Sequence, residues 1–239
     1  GVGGGSLMTP ILVLLFGFKP ATAVGTDLLY AAITKSGGTW MHHRHDNIDW
    51  RITGRLALGS VPAAALALTV LYYLGMENHS TNRIILNVLG VALLLTASSL
   101  IFRQRLLAFA RAHIGQTMSS RHTAGMTVVV GAIIGALVAL TSVGAGALGV
   151  TALLFLYPQL EMRRVVGSDI AHAVPLTLVA GMGHWWLGSV DIPLLLNLLL
   201  GSLPGIIVGS HFAARVPERR LRSLLAVMLM LVGGKLIFA

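Results

Sequence analysis

The sequence predicts an all-α polytopic membrane protein made of two inverted repeats, each a re-entrant helical hairpin plus three transmembrane helices. Three observations lead there. The 239 residues are 55% hydrophobic and 10% charged, where a soluble domain carries about 25% charge. Apolar stretches long enough to span a bilayer recur along the chain. Short motifs of the first half return, in order, in the second.

A span needs about 20 apolar residues. Six stretches qualify, near 22–40, 52–74, 84–102, 165–187, 192–214 and 221–238. A seventh, 125–157, carries no formal charge. As one helix rising about 1.5 Å per residue it would reach about 50 Å, against a hydrocarbon core of about 30 Å. Its middle reads "TSVGAGALG", where glycines weaken a helix.

The repeat explains that stretch. "GVGGGSL" (1–7) matches "SVGAGAL" (142–148), and "VGTDL" (24–28) matches "VGSDI" (166–170). Asp49 falls on Asp191, and "LGSVP" (58–62) on "LGSLP" (200–204). The organisation is therefore a first repeat over 1–102, a basic cytoplasmic connector over 103–124 and a second repeat over 125–239. The first copy lacks a counterpart of residues 125–141 and begins with Gly1. A hairpin leg is therefore expected to be missing ahead of Gly1.

The basic residues decide the orientation of the copies, because cytoplasmic loops carry an excess of Lys and Arg. If 125–157 crosses once, the basic residues divide evenly between the two sides. If it dips in and returns, every arginine but Arg83 falls on one side. Lys19, Arg83 and Lys235 lie on the other, with Lys35 inside a span. The second arrangement obeys the rule and makes the copies inverted. Inverted repeats with broken helices at their interface characterise secondary transporters.

The net charge of +9 would suggest a nucleic-acid partner in a soluble protein. Here the arginines cluster between apolar spans, which reads as membrane topology. The absence of cysteine excludes a disulfide framework and thiolate metal sites. A nucleotide cofactor is also excluded: no strand precedes the glycines, and no Gly-Lys-Ser/Thr follows them. No cofactor or metal is expected. "HHRHDNIDWR" (42–51) holds three histidines but lacks a recurring ligand pair. It reads as an interfacial loop, with Asp49 and Arg51 pairing locally.

The candidate site lies where the hairpin bends meet. Gly3, Gly4 and Gly5, with Gly144 and Gly146, permit tight turns and close backbone approach. Helix ends at such a break aim N–H dipoles at an anion. Thr26, Ser142 and Ser168 offer hydroxyls to an oxoanion, and Lys35 is the basic residue deepest in a span. Asp27 and Asp169 are equivalent acids inside spans, where ionisable groups are costly and functional. His172, one turn after Asp169, completes a candidate proton relay. Pro62 and Pro204 are expected to kink their helices. His42 and His184, near span ends, are expected at the interface. Trp40, Trp50, Trp185 and Trp186 suit an aromatic belt.

Taken together, "GVGGGSLMTPIL" (1–12), "AVGTDLLYAAITKSGG" (23–38), "HRHDNIDWR" (43–51), "SVGAGALGV" (142–150) and "VVGSDIAHAVP" (165–175) resemble the TauE/SafE family of sulfite exporters. The resemblance spans nearly the whole chain outside the connector. The family pattern often reads Gly-Thr-Ser where this chain has Gly25, Thr26 and Asp27. The family also carries a helix ahead of the glycine motif. The resemblance implies a non-enzymatic, multi-pass protein of the bacterial inner membrane. Its partners would be the lipid bilayer and a small anionic substrate such as sulfite or an organosulfonate. Alternating access, with possible proton coupling, is the expected mechanism, and an anion-conducting channel is the alternative.

Overall fold

The computed structural model describes residues 5–75, 78–113, 120–213 and 218–238. Among these, the regular elements are helices: α1 (Gly5–Leu14), α2 (Pro20–Arg44), α3 (Trp50–Leu74), α4 (His79–His113), α5 (Ser120–Thr141), α6 (Ala147–Leu156), α7 (Met162–Trp186), α8 (Ile192–Ala213) and α9 (Glu218–Phe238). Each of the six expected spans coincides with a helix. Five helices are long and apolar enough to cross a membrane: α3, α4, α5, α7 and α9. Helix α4 runs on to His113 and α5 starts at Ser120, so helix extends into both ends of the sequence-defined connector.

The element bounds recur at a fixed spacing. α6, α7 and α8 start 142 residues after α1, α2 and α3 (147 less 5, 162 less 20, 192 less 50). The contacts repeat with the same spacing. The backbone N–H of Asp191 donates to Thr26 Oγ1 at 3.0 Å, and that of Asp49 donates to Ser168 Oγ at 2.8 Å. Gly25 lies against the Ser189 carbonyl and His184, and Gly167 against the Asn47 carbonyl and His42. The start of each helix thus meets the end of the other, so α2 and α7 run antiparallel through the core.

Capping fixes the following turns. Asp49 Oδ1 accepts from the N–H groups of Arg51 and Ile52 at 3.0 and 3.2 Å. Asp191 Oδ1 accepts from Leu194 N at 2.8 Å. These are helix N-caps. Asp49 and Arg51 thus pair locally, through the backbone N–H of Arg51.

Helices α3 and α5 approach to backbone contact. A Cβ at Gly59 would strike the Val128 carbonyl. Added at Gly131 it would strike Leu56, and at Gly135 Ser60. The "GAIIG" of 131–135 is the small-residue spacing that lets membrane helices touch. Helices α4 and α9 meet similarly at Gly90 and Gly233. Pro62 and Pro204 sit inside α3 and α8. The four tryptophans are exposed near the ends of α2, α3 and α7.

The charge-free stretch 125–157 folds as a helical hairpin. Thr127 Oγ1 and Tyr157 Oη lie 2.8 Å apart, joining the start of α5 to the end of α6. From Thr127 to Thr141 the helix climbs about 21 Å before the chain turns back. The bend carries positive φ at Ser142 (59°), Gly144 (125°) and Gly146 (140°), a region glycine enters at little cost.

Substituting Gly135→Val is expected to force α5 off Ser60 and destabilise the fold by about 1–3 kcal/mol. The apparent melting temperature of detergent-purified protein should fall. An unchanged value would argue against backbone contact between α3 and α5.

Candidate functional site

Gly5 and Ser6 of α1 meet the bend 142–147 around a small cavity of about 100 Å³, to which Asp27 and Lys35 contribute from α2 and Thr96 from α4. The cavity therefore has the N-termini of α1 and α6 on its wall. Gly3 and Gly4 lie outside the described residues. Gly5, Gly144, Gly146, Ser142, Asp27 and Lys35 are brought together as the sequence suggests.

Lys35 does not snorkel outward. Its Nζ donates to the Ala145 carbonyl, in the bend, at 3.2 Å. That ammonium also interacts electrostatically with both Asp169 and Asp27. Asp27 is 1% exposed. One carboxyl oxygen accepts from Thr9 Oγ1 at 2.7 Å, while Oδ1 is buried without a hydrogen-bond partner.

Asp169 is equally buried. It lies outside the cavity wall, pressed against Gly149 of α6, where any Cβ would meet its Oδ1. That oxygen too has no hydrogen-bond partner. His172 turns away from Asp169. Its Nε2 lies 2.8 Å from Ser60 Oγ, and its buried Nδ1 is unpartnered. Asp27 thus joins Thr9 to Lys35, and Lys35 joins Asp27 to Asp169, drawing together α1, α2 and α7, while His172 pairs separately with Ser60 of α3.

Thr26 and Ser168 are used differently from the sequence reading. Both are fully buried, and both hydroxyls accept from backbone N–H groups at the α2–α7 crossing. Neither lines the Lys35 cavity. The expected interfacial placement of His184 is also corrected. It is fully buried, and its Nε2 donates to the Ala139 carbonyl at 2.9 Å. The Gly25 contact requires this, because an α2 without a Cβ there lets the imidazole into the helix interface. Thr9, Ser60, Thr96 and the Ala145 carbonyl were missed by sequence reasoning. Thr9 alone left a signal, a lone polar residue in "LMTPIL" (7–12).

A profile of the sulfite exporter TauE/SafE family matches residues 1–236. The chain belongs to this family. It is 40% identical to a probable membrane transporter protein, YjnA, of Bacillus subtilis over 99% of this chain and 92% of that protein. A second, YdhB of the same organism, is 28% identical over 100% of this chain and 93% of that protein. No solved structure matches the chain. Family membership and the apolar helices together make this a multi-pass membrane protein.

Replacing Thr26 by Val, or Ser168 by Ala, removes the acceptor of a buried backbone N–H. Each is expected to cost about 1–3 kcal/mol of stability while substrate affinity stays constant. Thermal unfolding and equilibrium binding test this. Lost affinity at full stability would return both hydroxyls to the substrate site.

Proposed function

We propose that the protein is a non-enzymatic secondary transporter of the bacterial cell inner membrane, moving a small oxoanion by alternating access. The observation that carries this is an ammonium, Lys35, on the wall of a cavity bounded by two helix N-termini. Helix N-termini favour negative charge, and Lys35 adds a full positive charge. The volume, about 100 Å³, is about that of three water molecules. Sulfite suits that space better than a bulky organosulfonate. Of the residues named from the sequence, Gly5, Lys35, Ser142, Gly144 and Gly146 would contact the anion.

The reciprocal contacts of α2 and α7 support two inverted repeats, 1–102 and 125–239, joined by the 103–124 connector. The end of α6 returns to α5 at Thr127, and α6, with 10 residues, rises only about 15 Å, short of the membrane thickness of about 30 Å. That supports a re-entrant hairpin with its tip inside the bilayer. Non-helical backbone at that depth needs a protein-lined cavity, as the bend has here.

Charge arithmetic supports proton coupling. With Asp27 and Asp169 ionised and Lys35 protonated, the site carries a formal charge of −1 and repels an anion. One proton brings it to zero, and a second to +1. Binding of an oxoanion and of protons would then favour each other.

The test is sulfite flux into proteoliposomes, with and without a pH gradient. Saturable flux driven by the gradient is expected. Lys35→Met should lower it about tenfold or more, the loss of one charge-assisted contact. Asp27→Asn and Asp169→Asn should remove the response to the gradient. Transport that is unaffected by neutralising both acids would sink the coupling. Non-saturating flux that follows the membrane potential would identify a channel.

A further inference from the structure

A larger cavity lies beside the α5–α6 hairpin. It is a groove of about 600 Å³ between α4, α5 and α6, walled mostly by apolar side chains. The hydroxyls of Ser99 and Thr151, also on its wall, lie 2.6 Å apart and satisfy each other. They therefore ask for no polar ligand. Leu95, Phe102, Met126 and Ile133 line the groove and are exposed. They sit on α4 and α5, two helices fit to cross a membrane. The groove thus opens toward the bilayer.

We infer that the groove seats an acyl chain of a bilayer phospholipid, which backs the bend of the hairpin from the membrane side. Length favours a chain from one leaflet. On α5 the groove reaches from Met126 to Leu137, about 16 Å. Half of the hydrocarbon core is about 15 Å. Met126 stands at the start of the charge-free stretch 125–157, where the apolar part of the membrane begins. Width decides against a helix of a second copy. The groove volume spread over that length leaves a cross-section of about 40 Å². A helix about 10–12 Å across with its side chains needs about 80 Å² or more.

The driving force is contact, because lipid around the groove is already apolar. Atoms that border an unfilled space lose dispersion partners, and a flexible chain restores them. Its effect reaches the Lys35 site. Leu137 and Leu148 line the groove, and both lie within 4.0 Å of a Cβ placed on Gly144. Gly144 itself lines the Lys35 cavity. On α4, Leu95 faces the groove and its neighbour Thr96 faces the cavity. The bend and α4 therefore stand between the lipid chain and the site. The inference needs only the membrane setting of the helices and does not rest on the transport reading.

Lysophosphatidylcholines with octanoyl, lauroyl or palmitoyl chains are titrated into the delipidated, detergent-purified full chain, and bound molecules are counted by native mass spectrometry. One molecule per monomer is expected, held more tightly as the chain lengthens. Ala152→Phe on α6 and Ile133→Trp on α5 fill the groove. Each should weaken palmitoyl binding about tenfold, the scale of about ten lost heavy-atom contacts. Val129→Trp adds bulk at an exposed position of α5 outside the groove and should leave binding unchanged. Bound lipid should raise the melting temperature of the wild type and not that of the filled variants. Absent binding, binding that ignores chain length, or binding that survives both filled variants would overturn the inference. Equal weakening by Val129→Trp would also overturn it. So would a dimer that the filled variants convert to monomer, which would assign the groove to a second copy. Where a filled variant does not fold, the chain-length series on the wild type still decides.

Discussion

Lys35 crosses from α2 to the carbonyl of Ala145, in the bend between α5 and α6. The chain has left helical geometry there, with three positive φ angles within five residues, 142–146. Unpaired backbone groups are costly in an apolar interior, and the ammonium answers one of them. Taking that charge out of water carries its own cost, which Asp169 and Asp27 offset through their charges. Thr9 in turn ties α1 to Asp27. The bend, α1, α2 and α7 therefore depend on one cation, and removing any member leaves the others uncompensated.

The crossing of α2 and α7 supplies the frame for that arrangement. Early in each helix a glycine, Gly25 or Gly167, admits the backbone beyond the other's end. One residue later, Thr26 accepts the N–H of Asp191, the cap of α8, and Ser168 that of Asp49, the cap of α3. The same two positions thus set the distance between the helices and the starting points of α3 and α8. A buried hydroxyl used this way serves the backbone, which explains why Thr26 and Ser168 stand apart from the cavity.

The site combines positive and negative groups in unequal measure across the repeats. Asp27 and Asp169 are equivalent, but the position equivalent to Lys35 is Thr177, whose hydroxyl bonds the Ala173 carbonyl of its own helix. Two similar frames therefore enclose one ammonium.

Much of this was legible in the residues. Hydropathy marked six helices, the glycines marked the bend, and the repeat paired Asp27 with Asp169, because these depend on local composition and on internal comparison. The partners were not legible. Ala145 is 110 residues from Lys35 and is recognised through a carbonyl that every residue has. Ser60 bonds His172 across 112 residues, where sequence spacing had suggested Asp169 as its neighbour. His184 sat near a helix end, and only the helix opposite decided that it was buried. The sequence by itself determined which segments are helices, where they break and that the two halves are alike. Which polar group meets which was decided by the antiparallel crossing of α2 and α7 and by the folding back of α6. Those contacts join residues far apart in the chain, and local pattern carries no information about them.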